Sequence, residues 1–157
     1  MQFVAVVAPS GSGKTQLPYC LQSADFPCVH VTLQRRDMNE SQQPIYTILD
    51  GSSDFIDAFQ GDLRVHGDFL GEAYLSQLRI FPFALLGCAA VRYFLQPANL
   101  RTSVQACTVT QLSQIVESME VRSRPVFFLD ESLCSSEEMT LLIRYVRNLL
   151  RSVGLLA

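Results

Sequence analysis

The chain has 157 residues and a formal net charge of −3, a length that suits a single domain. Hydrophobic residues make up 48% of it and charged residues only 17%, which excludes a disordered, highly charged tail. It contains no block of like charges, so a protein that binds nucleic acid mainly by neutralising phosphates is disfavoured.

The first third of the chain predicts two strands joined by a loop and a helix. Residues 2–7 form a short apolar run typical of a buried strand, and the small residues 8–13 that follow predict a loop. Residues 14–22 can form a helix, with Pro18 near its first turn. Residues 26–33 alternate in the manner of a second strand.

The remainder predicts further helices and a third strand. Between the polar loop at 34–44 and the end of the chain, the pattern predicts six features. These are a small strand at 45–49, one broken or two stacked helices over 68–95, a helix over 110–122, a buried strand over 125–129, an amphipathic helix over 135–152 and a helix stop at Gly154. Because strands alternate with helices, we expect an α/β fold with a parallel sheet.

The five cysteines are widely spaced, and no two have a CxxC spacing. Because most lie in apolar stretches, we expect buried free thiols in a reducing, intracellular compartment and no structural zinc site. No secretory signal is recognisable, and the longest uncharged apolar run, residues 80–91, is too short to span a bilayer. We therefore expect no membrane partner.

Residues 8–15 (APSGSGKT) match the phosphate-binding pattern GxxxxGK[ST], with Ala8 in place of the first glycine. Glycines allow successive backbone N–H groups to surround an anion, and a helix N-terminus adds partial positive charge. Lys14, the only lysine of the chain, would reach the β and γ phosphates, and the Thr15 hydroxyl would coordinate Mg²⁺. The residues expected to bind the nucleotide are Ser10, Gly11, Ser12, Gly13, Lys14, Thr15 and Gln16.

Two carboxylates, Asp130 and Glu131, follow the apolar residues of the third predicted strand. If that strand lies parallel to the first, Asp130 would be delivered next to Thr15 and could hold Mg²⁺ or a metal-bound water. Glu131 would orient or deprotonate the water that attacks the γ-phosphate. We therefore expect catalytic roles for Lys14 and Glu131 and metal binding by Thr15 and Asp130.

The segments VVAPSGSGKTQL and VFFLDESLCSSEEMTLLIRYVRNLLRSVGLLA resemble the P-loop domain of Crinkler effectors and retrotransposon hot spot proteins. In that family an LDE strand end precedes a helix and an R-x-x-G-L entry to the next strand, as in residues 151–155 here. The resemblance implies nucleotide and Mg²⁺ binding at Lys14 and Thr15 and an acidic pair at Asp130 and Glu131. Delivery into a host cell and its nucleus would follow from the resemblance alone, because no targeting signal is recognisable.

The expected architecture is a three-layer, P-loop NTPase-like parallel sheet flanked by helices and truncated at its C-terminal strand. Residues 1–157 would form one incomplete nucleotide-binding domain, and the incomplete sheet edge would favour self-association or a protein partner. Three functions remain open: an ATPase, a nucleotide-binding interaction module that does not hydrolyse, and a small-molecule kinase. The absence of an N/TKxD motif favours ATP over GTP.

Overall fold

Five helices and two strands are seen in the computed structural model, which describes residues 16–24, 26–32, 52–66, 84–96, 106–130 and 137–155. The described chain is mixed α/β and mostly helical. Its elements in chain order are α1 (Leu17–Ser23), β1 (Cys28–Thr32), α2 (Ser52–His66), α3 (Leu85–Leu95), α4 (Val109–Ser118), a 3₁₀ turn (Val121–Ser123), β2 (Val126–Asp130) and α5 (Glu137–Ser152).

Strands β1 and β2 pair in parallel, with Cys28 opposite Val126 at one end and Thr32 opposite Asp130 at the other. The parallel sheet expected from the sequence is thus confirmed for these two strands, and the first predicted strand, 2–7, lies outside the described residues. A parallel pair requires a crossover connection, and α2, α3 and α4 all belong to the chain between the two strands.

Helices contact both faces of this strand pair. On one face, the ring of Phe55 in α2 stacks on Phe127 of β2 with a centroid distance of 6.2 Å. On the other face, the ring of Tyr19 in α1 meets His30 edge-on at 5.9 Å, and His30 meets Phe128 at 5.8 Å. Alternation along a strand explains the separation, because neighbouring residues such as Phe127 and Phe128 belong to opposite faces.

The larger part of the core lies on the α2 face. Phe55 contacts Phe59 at 4.7 Å and Phe94 of α3 at 5.6 Å, and Phe59 contacts Tyr145 of α5 at 5.1 Å. Phe55, Phe59 and Tyr145 have no exposed surface. Aromatic side chains bury large areas, so this cluster joins three helices to the strand pair.

Helix α5 is terminated as the sequence predicts, by Gly154, which has a φ of +78°. Gly154 N–H donates to the carbonyl of Arg151 and Leu155 N–H donates to that of Leu150, the two bonds of a Schellman motif. Leu150 and Leu155 are both buried, which supplies the apolar contact that accompanies this motif. Glycine is favoured at residue 154 because left-handed backbone costs it no steric clash.

Two sequence predictions need correction, and one helix was not predicted. Helix α2 lies in a stretch to which no element was assigned, and α4 ends at Ser118 rather than at Arg122 because Met119 has an extended backbone with ψ of 139°. The thiols are not uniformly buried, since Cys20 is exposed and Cys28 half-buried, whereas Cys88 and Cys107 are buried. The small strand at 45–49, the segment 68–83 and Cys134 lie outside the described residues.

Within the described ranges, no helix is both long enough and apolar enough to cross a bilayer.

Candidate functional site at the carboxyl ends of the strands

The candidate site lies at the edge of the sheet where β1 and β2 both end. Within the described part of the chain, Thr32 and Asp130 are the last residues of the two strands, and they occupy the same register position. In open α/β sheets, ligands bind outside the carboxyl ends of the strands, because the loops that follow the strands converge there. Asp130 therefore stands at the edge of the sheet where a ligand site is expected.

Asp130 also shares a face of the sheet with helix α1. Residues 28, 30 and 32 of β1 alternate with 29 and 31, and their partners in β2 are 126, 128 and 130. His30 and Phe128 define this face, and Tyr19 of α1 covers His30. Asp130 and Thr32 thus belong to the α1 face, whereas Val31 belongs to the α2 face.

Helix α1 begins toward the same edge. The N–H groups of Ala24 and Phe26 both donate to the carbonyl of Leu21 at the end of α1. Only four residues, 24–27, link α1 to β1, yet Tyr19 within α1 meets His30 within β1, so the chain turns back on itself between them. The helix therefore runs antiparallel to the strand that it covers, and its first residues lie nearer the carboxyl end of β1. Gln16, which leads into α1, is exposed.

Most of the other predicted site residues belong to parts of the chain that the structure does not describe. Gln16 and the backbone of Asp130 belong to the described residues. The remaining predicted nucleotide-binding and catalytic residues lie outside them: Ser10, Gly11, Ser12, Gly13, Lys14, Thr15 and Glu131. Their nearest described neighbours in sequence, Gln16 and Asp130, lead into α1 and end β2.

A second polar centre, at Asp62 in α2, was not identified from the sequence. Its Oδ1 accepts a hydrogen bond of 3.1 Å from the N–H of Leu86, and its Oδ2 accepts one of 2.7 Å from the N–H of Gly87. The hydroxyl of Tyr145 donates to the same Oδ2 at 3.0 Å. Asp62 is only 3% exposed, so this carboxylate caps the N-terminus of α3 inside the protein.

The sequence does contain a signal for this residue. Phe55, Phe59 and Asp62 follow one another at helical spacing, which places an acid on an otherwise apolar helix face. A buried carboxylate requires donors, and the three donors around Asp62 satisfy it as a structural acceptor. Because these donors already occupy it, Asp62 is suited to joining helices rather than to acid–base chemistry.

The buried thiols and phenol near Asp62 stay protonated at neutral pH. Burial raises the pKa of Cys88 to about 12, and the neighbouring Cys107 and Asp62 act in the same direction. Burial also raises the pKa of Tyr145, with further contributions from Asp62 and Cys88. Burial raises the pKa of Cys107 as well, although Arg92 opposes this effect. Buried thiols of high pKa are poor nucleophiles, so this cluster is structural.

Among the described residues, no group of three or more His, Cys, Asp and Glu side chains is arranged to hold a metal ion.

Comparison of the chain with models of protein families, with curated proteins and with solved structures found no match.

Proposed function

We propose that this chain is an ATP-binding P-loop domain of the ATPase type, built as a three-layer parallel sheet flanked by helices. The loop 8–15 would hold the phosphates, and Lys14 would neutralise charge on the β and γ phosphates. Thr15 and Asp130 would hold Mg²⁺, and Glu131 would orient the attacking water.

One observation carries the proposal. Asp130 ends β2 on the face of the sheet that α1 covers and at the edge toward which α1 begins. The predicted phosphate loop immediately precedes α1 in sequence, so a loop that led into α1 would approach the edge at which Asp130 ends β2. If Asp130 were only a solvated acid at the end of an apolar strand, nothing would require it to lie on the face that α1 covers and at the edge toward which α1 begins.

The distribution of the helices also supports the proposal. A P-loop sheet requires helices on both faces, and here α1 contacts one face and α2 the other. The strand after α1 pairs in parallel with the strand that carries the acidic residue. This order agrees with a sheet in which the nucleotide lies across the strand ends.

The resemblance to the Crinkler and retrotransposon hot spot family belongs to the same proposal. Its R-x-x-G-L element coincides with residues 151–155, where the Schellman motif ends α5. The element therefore has a structural reason in this chain, because Gly154 supplies the left-handed residue and Leu155 the apolar contact. An effector role rests on the resemblance alone.

The first test measures ligand-induced stabilisation. Ligand that binds the folded state raises the unfolding midpoint by mass action, so saturating Mg-ATP should raise the midpoint of the wild-type chain. Lys14→Ala should abolish that shift without lowering the midpoint of the unliganded protein. Arg144→Ala, which removes an exposed cation from α5, is the matched control and should retain the full shift.

An equal shift in wild type and Lys14→Ala would refute the phosphate loop. A second measurement, phosphate release from ATP, separates the candidate functions. Release would indicate an ATPase, a midpoint shift without release a nucleotide-binding module, and transfer of phosphate to an added small molecule a kinase.

A further inference from the structure

The C-terminal end of helix α5 carries an excess of positive charge. Residues 139–157 include three arginines and no acidic residue, although the net charge of the chain is −3. Two of these arginines, Arg147 and Arg151, are four residues apart and therefore lie on one face of the helix. Arg151 is exposed, whereas the apolar residues of the last two turns, among them Leu149 and Leu150, are buried. The solvent-facing side of this helix end is therefore basic.

Arg124, which lies just before β2, adds a further cation at the same place. Gly154 has no side chain, and a Cβ at this residue would lie 3.7 Å from Nη1 of Arg124. Gly154 N–H donates to the carbonyl of Arg151, so both arginines lie at the turn that ends α5. Val121 is next to them, because the N–H of Arg124 donates to its carbonyl at 3.4 Å. We call Val121, Arg124 and Arg151 the basic patch.

Contacts within the protein leave most of this charge unbalanced. The C-terminus of a helix carries about half a negative charge, whereas Arg124 and Arg151 carry two positive charges. Among the described residues neither of these guanidinium groups has an ion pair. Arg147 already interacts within the chain, so it is not counted in the patch.

Arg124 also has a hydrogen-bond donor that is not satisfied. Its side chain is half-buried, and its Nε–H is buried without an acceptor in the structure. A buried donor without an acceptor costs free energy. A small rotation of the guanidinium would present Nε and one Nη to an incoming anion, and a bidentate anion would then satisfy both. Anion binding at Arg124 therefore recovers a cost that the unliganded protein carries.

The composition of the patch fits the carboxylates of a protein better than the phosphates of nucleic acid. Proteins that bind duplex DNA commonly make about 6–10 phosphate contacts, more than this group of arginines supplies. Val121 is 77% exposed and offers an apolar contact beside the two guanidinium groups. Arginines next to apolar side chains are typical of protein interfaces, where arginine is enriched.

We propose that the basic patch is a docking site for an acidic segment of a partner protein. One carboxylate of the segment pairs with Arg124, a second pairs with Arg151, and an apolar side chain lies against Val121. The patch precedes Val126, where β2 begins, whereas Asp130 ends β2 at the candidate nucleotide site. This inference is therefore independent of the proposed function.

The experiment measures binding of a fluorescein-labelled peptide, in which two pairs of glutamates flank a leucine, by fluorescence anisotropy at low salt. The same peptide with glutamine at the four acidic positions should not bind. Arg124→Gln should raise the Kd about tenfold or more, as for loss of a hydrogen bond to a charged group. Arg151→Gln should raise it about two- to fivefold, because an exposed ion pair contributes less.

Arg64→Gln is the matched control, since it removes an exposed arginine from α2, and the Kd should stay within about twofold of wild type. Thermal unfolding shows whether each variant folds. If Arg124→Gln does not fold, Arg124→Lys takes its place. Lysine keeps the charge but not the bidentate geometry, so the Kd should rise about three- to tenfold, the range for one net hydrogen bond.

Two results would overturn the docking site. One is a peptide that does not bind, or that binds equally well to wild type and to the Arg124 and Arg151 variants. The other is a single-stranded oligonucleotide of equal charge that binds more tightly than the peptide and depends on the same two arginines, which would indicate a nucleic-acid site. Neither result bears on the proposed function, whose site lies at the other end of the strands.

Discussion

The hydroxyl of Tyr145 in α5 donates a 3.0 Å hydrogen bond to Oδ2 of Asp62 in α2, across 83 residues of sequence. The same oxygen accepts the N–H of Gly87 at 2.7 Å, so one carboxylate joins α2, α3 and α5. Buried polar groups that are fully hydrogen-bonded fix the relative positions of the elements that carry them. Asp62 therefore sets how the three helices meet beside the aromatic cluster.

Tyr145→Phe should lower the free energy of unfolding by about 2 kcal/mol, the range for a hydrogen bond to a charged group. The ring of Phe would preserve the contact with Phe59, so the loss isolates the hydroxyl. Urea unfolding at pH 7 measures it. The control is Tyr19→Phe, which removes a hydroxyl from a residue that is 36% exposed and should cost little. Equal losses in the two variants would contradict the role of the buried bond.

Two glycines at the contact between α2 and α3 should respond differently to alanine. A Cβ at Gly87 would lie 3.0 Å from Cε1 of Phe59 and 3.1 Å from Oδ2 of Asp62, both held in the core. Gly87→Ala should therefore destabilise the protein by about 1–3 kcal/mol through overpacking.

Gly61→Ala is the matched comparison. Its Cβ would lie 2.8 Å from Cδ1 of Leu86, the end of a flexible side chain that is 45% exposed and can move aside. Gly61 lies inside α2, where alanine is favoured over glycine by about 0.5–1 kcal/mol, so this change should be close to neutral or stabilising. Thermal midpoints of the two variants provide the test, and a larger loss for Gly61→Ala would refute the assigned packing.

Alkaline pH should lower the free energy of unfolding, and the ionisation of Cys88 should account for part of that loss. Burial raises the pKa of Cys88 from its ordinary value of 9.0 to about 12. Between these values the unfolded chain releases the proton while the folded chain retains it. The free energy of unfolding should therefore fall by about 1.4 kcal/mol per pH unit for this thiol. Burial raises the pKa of Tyr145 as well, which adds a further decline above pH 10.

Cys88→Ala isolates this contribution. Urea unfolding between pH 7 and pH 11 should give a shallower decline above pH 9 for the variant, by about 1.4 kcal/mol per pH unit. Its stability at pH 7 can differ from wild type without affecting the comparison, because the slope carries the information. Parallel slopes above pH 9 would show that Cys88 ionises alike in the folded and unfolded chains.

Glu131→Gln tests the proposed water-activating residue. The amide cannot accept a proton, so phosphate release should fall by about a hundredfold or more, as for loss of a general base. The midpoint shift with Mg-ATP should persist, because the residue is assigned to the water rather than to the nucleotide. The matched control, Glu120→Gln, neutralises an exposed acid just before the 3₁₀ turn and should leave release unchanged. Unchanged release in Glu131→Gln would remove this residue from the mechanism.

The parts of the fold that could be predicted are those with one clear periodicity. The alternating run before Thr32 and the apolar run before Asp130 both predict strands, and Gly154 marks the end of α5. The parallel pairing of the two strands follows from the alternation of strands and helices along the chain. The convergence of Asp130 with α1 on one face could not be read directly, because it depends on a pairing between segments far apart in sequence.

Helix α2 escaped prediction for a physical reason. Its apolar positions include Phe55 and Phe59, but Gly61 weakens the helical signal and Asp62 interrupts the apolar face. Both residues are explained by α3, since Leu86 lies over Gly61 and the N-terminus of α3 needs the carboxylate of Asp62. The role of such a residue depends on contacts with a helix far away in sequence, so the pattern of its sequence neighbours does not indicate it.

The pairing of β1 with β2 has a consequence for how the chain folds. Its register joins residues about 100 positions apart, as between Cys28 and Val126, and such long-range contacts slow folding. During synthesis at about 5–20 residues per second, β1 would leave the ribosome roughly 5–20 seconds before β2. For that interval β1 has no β2 to pair with, and the edge that β2 will occupy is open to other chains.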